Sequence, residues 1–201
     1  MSIRTPLCDL CGVDHPVLLA PMAGVSGGAL AAAVSRAGGL GLIGGGYGDA
    51  DWLEREFDAA GDARIGVGFV TWSLSRQPHL LDLVLDRAPA ALMLSFGDFK
   101  PFLPRIRDGQ TKFIVQVQTL DQAREAVDAG VDAIVAQGTE AGGHGGTRAT
   151  LPFVPAVADI AKEIPVIAAG GIADGRGLPP PCRRLWPRST RRCPHGSATA
   201  I

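Results

Sequence analysis

Seven stretches of the chain carry apolar residues with almost no polar alternation: HPVLLAPMAG (15–24), GLGLIGGG (39–46), RIGVGFVTW (64–72), AALMLSFG (90–97), KFIVQVQT (112–119), VDAIVAQG (131–138) and IPVIAAGGI (164–172). A strand with one face in water alternates apolar and polar residues. A continuous apolar run is what a parallel strand covered on both faces shows. Between these runs the apolar spacing shifts toward 3.6, in 27–38, 51–61, 119–130 and 151–164. Asp51 and Thr119 open two of these segments as acidic and capping residues, and Gly38, Gly61 and Gly130 stop three of them. The prolines of the fourth belong in its first turns.

Strand and helix patterns that alternate in this way predict a parallel sheet. A doubly wound sheet has about five or six strands and a glycine fingerprint after the first. Here seven strand patterns precede residue 173 and glycines follow many of them. The expected fold is therefore α/β, a TIM (β/α)8-type barrel with about seven strands, its site on the loops that follow the strands. Residues 1–177 make up this barrel domain, which lacks its last βα unit.

From residue 178 the pattern stops. LPPPCRRLWPRSTRRCPHGSATAI holds five of the fifteen prolines, five arginines and no acid, so it carries +5 against −6 for the rest. The triple proline at 179–181 forbids a continuing helix. GC-rich codons read out of frame yield Pro, Arg and Cys, so the expectation is a chain truncated or frameshifted after about residue 177. Residues 178–201 are expected to be irregular and to add little to a core.

At 201 residues and 46% hydrophobic, the chain can bury one substantial core. The net charge of −1 argues against a nucleic-acid or membrane-surface partner. No apolar run reaches the roughly 18 to 20 residues of a membrane span, and MSIRTPLCDLCG has no apolar signal-peptide core. A cytoplasmic location is therefore expected. Cys8, Cys11, Cys182 and Cys193 do not form a disulfide scaffold. The CxxC of Cys8 and Cys11 stands without a second pair or a nearby histidine, so no metal site is expected.

Candidate chemistry gathers in a few stretches. EAGGHGG (140–146) comes after the sixth run, and its glycines let backbone N–H groups approach a ligand closely. His144 projects from that loop, and imidazole is the side chain suited to proton transfer near neutrality. An exposed loop histidine would look the same. PVIAAGGIADG (165–175) aims the N–H groups of Gly170 and Gly171 outward, where barrels often hold phosphate, although a tight βα turn needs glycine too. APMAG (20–24) can present Met22, Ala23 and Gly24 to a flat ring, or simply turn a core strand. QVQ (116–118) puts two amides on one face, the one at the carboxyl end within reach of a heterocycle edge, and Gln137 ends its run similarly. A structural hydrogen bond between strands accounts for them equally well. Lys100 and Arg148 read as surface charges, with Arg148 able to meet an anion.

Taken in order, APMAGVSGGALAAAVSRAGGLGLIGGG, GVGFVTW, QVQT, VAQGTEAGGHGG and VIAAGGIADGRG resemble the nitronate monooxygenase (2-nitropropane dioxygenase-like) family, across most of residues 5–177. The resemblance implies an FMN-binding TIM barrel that oxidises nitronates or nitroalkanes with O2 to a carbonyl compound and nitrite. It implies that His144 takes the α-proton or steers the anionic substrate. Met22, Ala23 and Gly24 would lie beneath the flavin ring, Gln116 would face it, and Gln137, Gly142 and Gly143 would line its pocket. Gly170 and Gly171 match half of a phosphate clamp, and Thr71 stands where some members have asparagine. The family's M-G-T-like loop, which completes the clamp, has no counterpart after Gly177. The same motifs occur in FMN-dependent NAD(P)H reductases of quinone or enoyl-acyl-carrier-protein type, so a reductase remains open as a second reading. An inactive remnant of such an enzyme is a third.

Overall fold

The computed structural model describes residues 4–172, Asp174 and the backbone of Ala198–Ala200. Its elements are α1 (Pro6–Cys11), α2 (Gly28–Arg36), β1 (Leu42–Gly46), α3 (Ala50–Ala60), β2 (Gly66–Val70), α4 (Thr71–Leu74), α5 (His79–Asp86), β3 (Ala91–Ser95), α6 (Leu103–Arg107), β4 (Lys112–Val117), α7 (Leu120–Asp128), β5 (Ala133–Gln137), α8 (Thr150–Ala161), β6 (Val166–Ala169) and β7 (Ala198–Ala200). The strands pair in chain order, β1 to β7, and every pairing is parallel. This is the (β/α)8-type barrel expected from the sequence, incomplete at its C-terminal side.

Two expectations are corrected. The first apolar run does not form a regular strand; it makes a single parallel bridge, Leu18 with Leu40, on the outer side of β1. The reason lies in the residues just after Leu18. Pro21 has no N–H to give a ladder, and the chain then folds over the glycines of β1 and β2. A Cβ on Gly68 would come 2.3 Å from Pro21 Cγ, and one on Gly44 would come 2.4 Å from the Met22 carbonyl oxygen. The second correction concerns the segment expected to be irregular. Ala198–Ala200 pairs with Val166–Ala168, because the free edge of β6 offers unsatisfied backbone groups to any extended segment without proline. Residues 175–197, with Gly177, Cys182 and Cys193, lie outside the described part.

Alternate strand residues divide between two cores, as a period of 2 requires. Ile43, Val67, Phe69, Leu92, Leu94, Phe113, Val115, Val117, Ile134 and Val166 pack outward against the helices, with Leu53, Leu80, Leu81, Phe153 and Val157. Leu42, Ala91, Met93, Ile114, Ala133, Val135, Ile167 and Ala169 fill the barrel interior. Leu7 and Cys11 of α1 join the interior cluster, so α1 plugs the end where the strands begin. Each large side chain buried in this way contributes roughly 1.5–3 kcal/mol. Burial also pushes the Cys11 thiol up to about 11.

Local signals explain the helix starts. Asp49 caps α3, accepting from Trp52 N at 2.9 Å. A capping box opens α7: Gln122 N donates to Thr119 Oγ1 at 3.1 Å and Thr119 N to Gln122 Oε1 at 3.2 Å. In α8, Pro155 lies beyond the first turn, further in than expected. Among the described residues, no helix is long and apolar enough to cross a membrane.

Candidate active site

The inward period that places Ile114 in the barrel interior also places Gln116 there, and that of Ala133 and Val135 places Gln137 there. The two side chains meet: Gln116 Nε2 donates to Gln137 Oε1 at 3.1 Å. Gln118, just past β4, donates to the same oxygen at 2.7 Å. Two NH2 groups converging on one atom require an oxygen there, which fixes the Gln137 amide with its Nε2 directed elsewhere. The remaining groups, Gln116 Oε1 and Gln137 Nε2, form an acceptor and donor pair at the carboxyl end of the barrel.

Gln118 also reaches the loop after β5, donating to the His144 carbonyl at 2.5 Å. The loop owes its path to glycine: Gly142 and Gly143 have φ of 71° and 64°, and a Cβ on either would meet nothing within 4 Å. Both face open space. The His144 ring is exposed and lies at an angle to two aromatic rings, Phe96 at 5.3 Å and Tyr47 at 6.5 Å between centroids. Phe96 holds a φ of 63°, an uncommon conformation for a residue with a Cβ, and strain of this kind gathers at functional sites.

The other end of the same loop is pinned to α8. Glu140 Oε2 accepts from Thr150 N at 2.8 Å and from Thr150 Oγ1 at 2.7 Å. These hydrogen bonds hold the Glu140 carboxyl below its ordinary range. Thr150 fits only because its neighbours are glycine. A Cβ on Gly138 would lie 2.0 Å from Thr150 Oγ1, and one on Gly170 would lie 2.6 Å from it. Gly170 and Gly171, with φ of 119° and 77°, lead the chain out of β6 against Ala141 and Glu140.

The remaining candidates lie over β1 and β2. Met22, Ala23 and Gly24 are exposed; Ala23 Cβ fills the room left by Gly46, and Gly24, with φ of 69°, borders open space. Thr71 opens α4 and is only 1% exposed; its hydroxyl is covered by protein and has no hydrogen-bond partner. The structure thus brings His144, Gln116 and Gln137 into one network and brings Gly170 and Gly171 to the foot of the same loop. It keeps the Thr71 hydroxyl out of the open space. Lys100 pairs with Glu125 at 3.1 Å, and Arg148 lies over the Phe153 ring at 5.8 Å. Sequence reasoning missed Tyr47 and Phe96, which carry no motif, and the anchoring pair Glu140 and Thr150. The linking role of Gln118 was visible only as the second amide of QVQ.

The chain is similar to known proteins in sequence and fold. The nitronate monooxygenase family model matches residues 4–64 and 70–180. A nitronate monooxygenase from Paraburkholderia phytofirmans is 33% identical, over 87% of this chain and 61% of its own length. A (3aS,4S,5R,7aS)-5-hydroxy-7a-methyl-1-oxo-octahydro-1H-indene-4-carboxyl-CoA dehydrogenase from Rhodococcus jostii is 32% identical, over 88% of this chain and 50% of its own. The solved structure of FabK from Thermotoga maritima superposes with a TM-score of 0.80 at 36% identity, covering 88% of this chain and 57% of that one. The chain therefore spans between about half and three fifths of the length of these relatives. With the family model matched along most of its length, on a barrel whose carboxyl end carries the glycine–histidine loop, the chain belongs to the nitronate monooxygenase family.

Proposed function

We propose that this chain forms the barrel of an FMN-dependent oxidoreductase that acts on nitronates or nitroalkanes with O2, giving a carbonyl compound and nitrite. The observation that carries this reading is the position of His144. Its imidazole stands exposed on an open glycine loop, while its own carbonyl is tied to Gln118 and through it to Gln137 and Gln116. A base on a loop anchored in this way can hold one position relative to a ligand seated over the amides.

The residues present fit a flat heterocycle. Gln116 Oε1 and Gln137 Nε2 offer complementary hydrogen bonds to a ring edge, and Gly24, Gly142 and Gly143 border space without Cβ atoms. Gly170 and Gly171, both at positive φ after β6, would offer backbone N–H groups to a phosphate. FMN would supply the one- and two-electron chemistry that side chains cannot. For its part, the protein would orient the substrate between Phe96, Tyr47 and the amides, and His144 would remove the α-proton or, protonated, attract the nitronate.

The test is an absorbance spectrum of the purified 201-residue chain with added FMN, then oxygen uptake with propionate 3-nitronate. A bound flavin and oxygen consumption support the reading. Colourless protein that takes up no FMN overturns it for this chain and leaves the inactive remnant. His144→Ala should lower turnover of a nitroalkane by roughly a hundredfold or more while flavin stays bound; unchanged turnover removes His144 from the mechanism.

The 36% identity to FabK supports a second reading, an NAD(P)H-dependent reductase with a quinone or enoyl thioester as acceptor. Anaerobic mixing with NADH or NADPH separates the two. Rapid bleaching of the flavin favours the reductase, and no bleaching favours the monooxygenase.

A further inference from the structure

Tyr47 follows β1 and Trp72 lies in α4, directly after β2, with ring centroids 5.7 Å apart. Both are large and apolar, yet Tyr47 is 53% exposed and Trp72 40%. Contiguous rings left in water at the mouth of a barrel forgo burial that the core could have provided, which marks a surface shaped for a ligand. The pair is fixed in advance. Ser73 Oγ donates to the Tyr47 carbonyl at 2.7 Å and Gln77 Nε2 donates to it at 3.1 Å, which locks the two segments together. A platform held in this way gives up little entropy when something settles on it.

The row has two different ends. At one, Tyr47 meets the His144 ring. At the other, the Arg76 guanidinium lies over the Trp72 ring at 5.3 Å. The guanidinium lies over the face of the indole and is exposed to solvent. The ion pairs among the described residues involve other arginines and Lys100, and Arg76 has no carboxylate partner among them. An exposed guanidinium with no carboxylate partner among the described residues, at the end of an aromatic platform, matches a carboxylate or phosphate carried on a flat body.

We propose that Tyr47, Trp72 and Arg76 form a binding subsite for a planar aromatic anion, whose ring lies along the two side chains and whose carboxylate or phosphate pairs with Arg76. The ligand's far end then points along the row toward His144. A substrate or co-substrate held in this way carries, besides its reacting end, an aromatic ring and a negative group remote from the reacting carbon. This extends the functional reading above but is tested by binding alone, so failure of flavin uptake leaves it standing or falling separately.

The experiment is a calorimetric titration of the full chain with three probes: naphthoate, its neutral analogue naphthylmethanol, and inorganic phosphate. The expected result is naphthoate bound roughly tenfold more tightly than naphthylmethanol, the worth of one charge-assisted pair. Arg76→Gln should erase that preference and leave naphthylmethanol binding unchanged. Trp72→Ala should weaken both aromatic probes. Arg76 is exposed, and an unchanged circular dichroism spectrum shows that its replacement leaves the fold intact. The proposal is overturned if Arg76→Gln binds naphthoate as the parent does, if naphthylmethanol binds equally well, or if phosphate alone displaces naphthoate at matching concentrations.

Discussion

The side-chain amide of Gln118 donates at once to the His144 carbonyl, at 2.5 Å, and to Gln137 Oε1, at 2.7 Å. One residue past the end of β4 thus ties the glycine loop to the strand beside it. The other tie of the loop, Glu140 to Thr150, lies at its start, and the glycines between carry no side chains and lose more backbone entropy on ordering than other residues. The position of the His144 imidazole is therefore set from beneath, through its own carbonyl.

Gln118→Ala should release that tie. A hydrogen bond of this kind is worth about 1 kcal/mol, so amide hydrogen exchange across residues 142–146 should speed up by roughly fivefold while the strands keep their protection. Mass-spectrometric exchange on peptides from this loop measures it. Unchanged exchange would show that the loop is ordered by something other than Gln118.

Gly68→Ala should destabilise the barrel. The added methyl would come 2.3 Å from Pro21 Cγ, forcing the segment that carries Met22 and Ala23 off β1 and β2. Overpacking of this sort costs roughly 1–3 kcal/mol, which in a domain of this size lowers Tm by several degrees. Gly61→Ala makes the matching control for added bulk: a Cβ on Gly61 would have nothing within 4 Å, and its φ of 63° adds only the backbone cost.

The Glu140 carboxyl is held below its ordinary range by the Thr150 hydroxyl and backbone N–H. A group whose folded value is lowered stabilises the fold above its unfolded value and loses that contribution as pH falls through the folded one. The loop after β5 should accordingly loosen from α8 in acid. Thr150→Val removes the hydroxyl donor, so carbon-detected NMR titration should find the Glu140 value moved upward. A titration curve identical to the parent's would refute the assignment.

Cys11 behaves in the opposite sense. Burial in the barrel floor raises its thiol to about 11, so the folded chain keeps a proton that the unfolded chain gives up above its ordinary value near 9. Stability should fall as pH rises from about 9 toward 11. Cys11→Ala should flatten that decline in a series of thermal melts. In the parent, alkylation mapped by mass spectrometry should spare Cys11 at pH 8 until denaturant is added.

The apolar runs alone determined the class of fold. A continuous LIG, VGF or AIVA run has nowhere to go except a strand buried on both faces, and the glycine stops and Thr119 cap set the helices between. They also put Gln116 and Gln118 on one face of the run that forms β4, since a period of 2 is a local property of a strand, but runs that are apolar on both faces do not say which face looks inward. Tertiary structure decided the rest. Whether HPVLLAPMAG would be a strand depended on Gly44, Gly46 and Gly68, distant in sequence, leaving room for Pro21 to Ala23. The row from His144 through Tyr47 and Trp72 to Arg76 draws on segments after three different strands, and no spacing along the chain encodes which of them will touch. Periodicity records which side chains share a face; only the packing of the whole chain determines what they meet there.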